Sequence, residues 1–182
     1  MTMRIFYDTE FLEDGKTIEL ISIGMVAEDG REYYAVNRDM PVRRIRKHKW
    51  LMENVVLGLP KGHGDLRNSM SKRWLFHYGD HRVKSRMVIA AQVAEFIQAT
   101  PDPQLWAWYG AYDHVALAQL WGRMIDLPDG VPMWTNDLKQ ECERLGNPTL
   151  PEQPDGVHNA LADAQHNLVR AQYLDELTKA GR

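Results

Sequence analysis

The order of apolar segments in the sequence predicts an α/β fold in which helices pack on a mixed β-sheet. Three strand-like segments come first, and Asp29-Gly30 between the second and third is a dipeptide typical of a hairpin. A strand, a turn at Gly110 and a helical segment follow in the second half of the chain. A hairpin combined with a later strand–helix unit indicates a sheet with both antiparallel and parallel neighbours.

The elements can be predicted in order from their patterns. We predict strands at 3–7, 17–26, 32–36 and 105–109, and helices at 112–121, 136–145 and 159–177. Another helix is indicated by apolar residues at helical spacing before Pro101: Val83, Met87, Ala90, Ala94 and Ile97. The connection 37–82 is too long for a structureless loop, so we expect helices at about 42–54 and near 74–76. With 182 residues, the chain is expected to be a single domain with a basic helical insertion at about 38–82.

The composition is that of a globular protein without disulfides. Apolar residues make up 44% of the chain and charged residues 26%, both ordinary values. Cys142 is the one cysteine, which excludes an intramolecular disulfide. No apolar stretch is long enough to span a bilayer, and the N-terminus lacks a signal-peptide pattern. These features predict a cytoplasmic protein with no membrane partner.

The charges are unevenly distributed although the net charge is only −3. Residues 43–86 contain 12 Lys and Arg against 3 Asp and Glu, whereas residues 100–182 contain 6 against 12. Five basic residues cluster within one short stretch: Arg43, Arg44, Arg46, Lys47 and Lys49. A basic segment beside an acidic one is compatible with a polyanionic substrate next to a metal site. The alternative is a solvated charged surface.

Two carboxylates, Asp8 and Glu10, directly follow the apolar residues 5–7. On a β-strand they point to the same face, where two like charges repel each other unless a cation lies between them. Taken alone, the pair also fits a half-exposed strand with a polar face.

Further candidate residues lie near the starts of predicted helices. Asp113 falls in the first turn of one helix, and His158 and Asp163 flank the start of the last. Charge compensation of the helix dipole and capping would explain each of them separately. Strand ends and helix N-termini are, however, where α/β folds assemble their sites, so we predict that these residues converge with Asp8 and Glu10.

The order of these motifs resembles a known superfamily. Asp8-Thr9-Glu10, Tyr112-Asp113 and His158-x4-Asp163 resemble the three exonuclease motifs of the DEDDh branch of the DEDD superfamily. That superfamily includes ribonuclease T, oligoribonuclease and the proofreading subunit of bacterial replicative polymerase. A small bacterial 3′–5′ exoribonuclease family is more closely similar, over residues 7–11, 18–24 and 105–114. The resemblance implies a ribonuclease H-like fold, a mixed five-stranded sheet flanked by helices.

The resemblance also implies a chemistry and a set of roles. The expected activity is two-metal-ion hydrolysis of phosphodiester bonds from the 3′ end, with release of nucleoside 5′-monophosphates. By resemblance, Asp8 bridges both ions, Glu10 and Asp163 complete the first, and Asp113 holds the second. The ions are expected to be Mg²⁺ or Mn²⁺, hard cations that prefer oxygen ligands. His158 would take the proton from the attacking water, as histidines commonly do near neutral pH.

The substrate contacts are expected around the same motifs. Backbone from Thr9 through Phe11 to Leu12 should line the terminal nucleotide by resemblance. Phe11, Tyr109 and Tyr112 are candidates for base stacking, with core packing as the alternative. Tyr109 and Tyr112 stand where superfamily members often have Asn and Phe.

Three functions remain open at this point. The leading hypothesis is an exoribonuclease acting on single-stranded RNA or a 3′ overhang, in which the basic stretch holds the upstream strand. The second is a DNA proofreading or repair 3′–5′ exonuclease, since the contact that distinguishes RNA from DNA is not legible in the sequence. The third is a catalytically silent nucleic-acid-binding module, against which the presence of all five site residues counts. By resemblance we expect a homodimer, which light scattering can test.

Overall fold

The computed structural model describes residues 2–61 and 76–181, and in these residues six strands form one sheet. The strands are β1 Met3–Glu13, β2 Ile18–Ala27, β3 Glu32–Asn37, β4 Val83–Lys84, β5 Pro103–Ala107 and β6 Asn136–Asp137. Their order across the sheet is β4-β3-β2-β1-β5-β6. β2 is antiparallel to both of its neighbours, whereas the other adjacent pairs are parallel. The predicted α/β fold with a mixed sheet flanked by helices is confirmed.

The helices cover both faces of this sheet. They are α1 Val42–Ile45, α2 Lys49–Asn54, α3 Arg86–Gln98, α4 Ala111–Ala118, α5 Leu138–Arg144 and α6 Ala160–Ala180. Side chains of β1 alternate between the two faces. Ile5 and Tyr7 pack in a core with α3 and α4, while Phe6 packs in a second core with α5 and α6. Asp8 and Glu10 continue the alternation of Phe6, so they face α6.

The sheet has six strands rather than the expected five because two-residue strands pair at its two edges. Val83, which the pattern assigned to a helix, instead pairs with Val36 in β4. The Ser85 side chain then caps α3 by accepting a hydrogen bond from the Val88 backbone. The buried face of α3 consists of Ile89, Ala90, Val93 and Ile97, so Met87 lies outside it and is 79% exposed. At the other edge, Asn136 and Asp137 form β6 directly before α5.

β1 is longer than its apolar residues predict. The prediction ended at residue 7, but pairing with β2 carries the strand to Glu13, so Asp8 and Glu10 lie on the strand itself. The register between β1 and β2 shifts between Glu10 and Phe11, the irregularity of a β-bulge. The extra residue is Ile21 of β2, which has no partner in β1.

The predicted helix at 42–54 is divided into α1 and α2. The break lies before His48, whose side chain caps α2 by accepting from the Leu51 backbone. Most of the helix predicted near 74–76 lies outside the described residues, and Phe76 forms an isolated antiparallel bridge with Lys61. The single domain and its basic insertion remain predictions. In the described part of the chain, no helix has the length and apolar character needed to cross a membrane.

Candidate functional site

Three carboxylates from two elements meet at one point of the structure. Asp8 and Glu10 extend from β1 toward α6, whose first turn carries Asp163. One oxygen from each of the three carboxylates lies within 4.8 Å of the others. Glu10 is buried and the other two are half-buried. The predicted convergence of these three acids is therefore present in the fold.

A glycine brings the two elements together. Gly24 of β2 is the partner of Asp8 in the sheet. A methyl group at this position would overlap the backbone of Ala160 and Leu161, so the first turn of α6 lies directly on the glycine. This close approach brings Asp163 to the carboxylates of β1.

Asp113 is held next to this group by Thr9. The Thr9 backbone N–H donates to Asp113 Oδ1 at 2.8 Å, and the Thr9 hydroxyl donates to the same oxygen at 2.6 Å. Asp113 is buried in the first turn of α4, as its sequence position predicts. Because its N–H and its hydroxyl are both bonded to Asp113, Thr9 orients this carboxylate. Contact of its backbone with the terminal nucleotide remains a prediction.

His158 lies at the mouth of the same site in an unusual backbone conformation. Its φ of 65° is in the left-handed region, directly before Asn159, the residue that caps α6. Its ring meets the Trp50 ring edge to face, with centroids 4.8 Å apart. Asp163, five residues later, accepts a hydrogen bond at its Oδ1 from the Gln153 side chain at 2.8 Å. His158, just before the N-cap of α6, and Asp163, in its first turn, thus both reach the site from the start of this helix.

Burial and mutual repulsion make these carboxylates hard to ionise. Burial raises the pKa of Asp8 well above its ordinary value, and the charges of Asp113, Glu10 and Asp163 raise it further. Burial, with the charges of Asp163 and Asp113, raises the pKa of Glu10 to about 8. Burial raises the pKa of Asp113 to about 6, although the Thr9 hydrogen bonds oppose it. A bound cation would relieve this repulsion, which is the behaviour of a carboxylate metal site.

We expect the free energy of unfolding of the metal-free protein to fall as pH rises from about 4.5 to about 8. Between the ordinary pKa of 4.5 and the folded pKa of about 8, Glu10 holds its proton in the folded state and releases it on unfolding. The folded state then binds more protons, so stability decreases with pH. Thermal unfolding in EDTA across this range measures the slope, and Glu10→Gln should flatten it. Stability that increases with pH over this interval would contradict the expectation.

The carboxylates lie at the bottom of an open cleft of about 850 Å³. Apart from Leu12, every predicted site residue lines the cleft: Asp8, Thr9, Glu10, Phe11, Tyr109, Tyr112, Asp113, His158 and Asp163. Phe11 and Tyr112 face each other with ring centroids 5.9 Å apart, and Tyr109 is 61% exposed. Tyr112 is also largely exposed. Neither Tyr109 nor Tyr112 is therefore packed in the core. The Leu12 side chain is instead buried in a core with Ile21 and Val36.

Eight lining residues were not predicted from the sequence, and four of them make contacts that matter for the site: Trp50, Gln153, Asn167 and Arg170. Trp50 reaches the cleft from α2, far from the motifs in sequence. Asn167 and Arg170 follow Asp163 at positions i+4 and i+7, which places them on the same helix face. That spacing is the signal that could have identified them.

The basic stretch lies beside Trp50, and part of its charge is already paired. Arg44 forms ion pairs with Asp14, at 2.7 Å, and with Glu19. Lys49 lies 3.9 Å from Glu53 in the next turn. Arg43 and Lys47 are exposed. Binding of the upstream RNA strand by this stretch remains a prediction, and the two ion pairs of Arg44 would have to compete with it.

Comparisons with known proteins identify close relatives of the chain. It is 46% identical over 182 residues to 3′–5′ exoribonucleases from two strains of Mycobacterium tuberculosis, covering 99% of this chain and 98% of each relative. No family model matches the sequence. A solved structure of Pop2p from S. pombe, in a Mg²⁺- and Mn²⁺-bound form, aligns with a TM-score of 0.47 and 12% identity. That alignment covers 94% of this chain and 81% of the other.

Proposed function

Because the chain belongs to the family of these mycobacterial 3′–5′ exoribonucleases, we propose that it hydrolyses RNA from the 3′ end. The proposed substrate is single-stranded RNA or a 3′ overhang, and the products are nucleoside 5′-monophosphates. The observation that carries the proposal is the convergence of Asp8, Glu10 and Asp163 within 4.8 Å, in a cleft that Asp113 and His158 also line.

The donor set suits two hard divalent cations, which we propose to be Mg²⁺ or Mn²⁺. All the candidate ligands are carboxylates, the ligand type these ions prefer. Asp8, Glu10 and Asp163 would hold one ion, and Asp113 with Asp8 the other. When bound, such a pair activates water and neutralises the charge that develops on the phosphate and the leaving oxygen. Burial and neighbouring acids raise the pKa of Asp8, so a bound cation would stabilise its ionised form, which supports a metal site.

The residues of the chain then have separate tasks. His158 takes a proton from the attacking water, whose oxygen bonds to phosphorus as the bond to the 3′ oxygen of the preceding nucleotide breaks. The phosphate remains on the 5′ oxygen of the released nucleoside. Thr9 orients Asp113, and Gln153 orients Asp163. Phe11, Tyr109 and Tyr112 offer aromatic faces to the terminal bases, and Leu12 contributes no side chain to the cleft.

The proposed function is tested with matched RNA and DNA oligomers labelled at the 5′ end, incubated with purified protein and Mn²⁺. A ladder of progressively shorter RNA fragments and the release of nucleoside 5′-monophosphates are expected. Internal cuts at early times, or efficient cleavage of circular RNA, would indicate an endonuclease instead. Faster degradation of the DNA oligomer would favour the DNA exonuclease, and binding without any hydrolysis would favour the silent binding module.

His158→Ala should lower kcat by about 10²–10⁴-fold, the usual contribution of general-base assistance. The wild-type rate should rise with pH over the range in which histidines lose their proton, and the variant should lose this dependence. Metal binding, followed as thermal stabilisation by Mn²⁺, should change little. His81→Ala is the matched control, since the His81 side chain is 90% exposed and does not line the cleft. An unchanged pH profile in His158→Ala would remove His158 from the mechanism.

A further inference from the structure

One face of α6 carries an acid, an amide and a cation into the cleft. Asp163, Asn167 and Arg170 follow one another at helical spacing and all three line the cleft. Asp163 belongs to the carboxylate cluster, whereas Asn167 and Arg170 have no role in the proposed hydrolysis. Arg170 brings a positive charge to a site where the other charged groups are mainly acids.

Two contacts hold the Arg170 guanidinium in place. It stacks over the Trp108 ring, with Cζ 4.5 Å from the ring centroid. Its Nη1 donates to Asn167 Oδ1 at 3.0 Å. Asn167 is itself anchored, because its Nδ2 donates to the Tyr7 backbone carbonyl of β1 at 3.3 Å. The sheet and the helix thus orient the cation before any ligand arrives.

The Arg170 guanidinium forms no ion pair with the described residues. No carboxylate oxygen in the described part of the chain lies within 4.0 Å of the Arg170 guanidinium. Arg4 is a contrast, because its guanidinium is fully engaged with Glu28 and Asp175. Arg170 interacts with the charges of Asp163 and Asp8 at longer range. Toward the described residues its guanidinium makes one hydrogen bond, to Asn167, so its other N–H groups can donate to a ligand.

An oriented guanidinium with free donors, stacked on an aromatic ring, suits a phosphate group. Its planar fork matches two phosphate oxygens, and such charged hydrogen bonds are about twice as strong as neutral ones. A phosphate that approaches three carboxylates also needs a compensating positive charge nearby. The competing explanation is that Arg170 only balances the charge of Asp8 and Asp163.

We propose that Arg170 binds a phosphate group of the RNA in the cleft, beside the Asp8–Glu10–Asp163 cluster. The inference rests on the proposed exoribonuclease function and adds a residue that recognises the substrate. Trp108 and Asn167 act as positioning residues for the guanidinium.

The test compares wild type with Arg170→Gln, Arg170→Lys and Lys179→Gln. Lys179 lies in the last turn of the same helix and away from the cleft, so its variant controls for the loss of one positive charge. Binding of a 5′-labelled single-stranded oligoribonucleotide is measured in EDTA as a function of salt, and hydrolysis is measured separately with Mn²⁺. Thermal unfolding of each variant verifies the fold and, with added Mn²⁺, reports metal binding.

Arg170→Gln should bind the RNA on the order of 10- to 100-fold more weakly, the loss of one or two charge-assisted hydrogen bonds. Its slope of log K against log[salt] should decrease in magnitude by about 0.7, the contribution of one phosphate on a single strand. Arg170→Lys retains the charge but not the fork, so its affinity should lie between those of wild type and Arg170→Gln. This variant keeps the test valid if the glutamine variant fails to fold.

Equal RNA affinity and salt slope in wild type and Arg170→Gln, with stronger stabilisation by Mn²⁺ in the variant, would overturn the proposal in favour of a counter-charge. So would an equal loss of affinity in Lys179→Gln. If wild-type protein binds the RNA without hydrolysing it, the proposed function fails while the comparison of affinities still decides the role of Arg170.

Discussion

Replacing Asp8 with Asn should abolish hydrolysis and, at the same time, raise the thermal stability of the metal-free protein. The carboxamide keeps the shape of the side chain but cannot supply a negative ligand. Metal ions contribute several kcal/mol to the stabilisation of such transition states, so we expect a loss of at least about 10³-fold in kcat. Stability should rise because burial and three neighbouring acids oppose the Asp8 charge, as the raised pKa of this carboxyl indicates.

The opposed effects on activity and stability distinguish a metal ligand from a structural residue. Loss of a structural residue lowers both quantities, whereas loss of a repelled ligand lowers only activity. Mn²⁺ should raise the Tm of wild type and leave that of Asp8→Asn nearly unchanged. The corresponding changes at the other carboxylates, Glu10→Gln, Asp113→Asn and Asp163→Asn, should abolish hydrolysis as well.

Asp14→Asn provides the matched control for this experiment. Asp14 follows β1 directly, is exposed and pairs with Arg44 outside the cleft. Its variant should retain both hydrolysis and the Mn²⁺-induced rise in Tm. Near-wild-type hydrolysis by Asp113→Asn or Asp163→Asn would refute the assignment of two metal ions.

The positions of the acidic residues could be predicted because they depend on local geometry. Alternation along a strand is enough to place Asp8 and Glu10 on one face. The sequence also indicates where α4 and α6 begin. Asp113, His158 and Asp163 are therefore predicted to lie at the ends of elements. Fold topology then brings these ends together.

Residues that reach the cleft through tertiary packing could not be predicted in the same way. Trp50 lies in a short helix of the long connection, and only the packing of that connection brings its ring to His158. The edge strands β4 and β6 have two residues each, too few to give a periodic pattern. Met87 was placed on the buried face because it is at helical spacing from Ala90, Ala94 and Ile97. The buried face of α3 instead consists of Ile89, Ala90, Val93 and Ile97.

Gly24 shows a signal that is present in the sequence but has no meaning without the fold. A glycine within a run of apolar strand residues indicates either a bulge or the close approach of another backbone. The sequence does not say which backbone approaches. In the structure it is the first turn of α6, at Ala160 and Leu161, opposite Asp8 in the sheet.

Gly24→Ala should therefore reduce both stability and hydrolysis, although it adds only one methyl group. The methyl would overlap main-chain atoms of Ala160 and Leu161, which cannot rotate away as a side chain can. Overpacking of this kind costs about 1–3 kcal/mol, which corresponds to a decrease in Tm of roughly 2–12 °C for a chain of this size. If α6 moves outward to make room, Asp163 moves away from Asp8 and Glu10. Displacement of a catalytic group by about 1 Å can cost on the order of 10²-fold in rate.

Gly58→Ala is the control for Gly24→Ala. It shows whether replacing a glycine near α6 has an effect when the carboxylates are not displaced. A methyl group at Gly58 would meet the Asn159 side chain at 3.5 Å, an ordinary contact with the same N-terminal region of α6. We expect this variant to keep the wild-type Tm, rate and stabilisation by Mn²⁺. Gly24→Ala should lose most of the stabilisation by Mn²⁺ in addition to its rate, because its three carboxylates no longer meet. A Gly24→Ala protein with lowered Tm but undiminished hydrolysis would mean that the contact between β2 and α6 stabilises the fold without setting the position of Asp163.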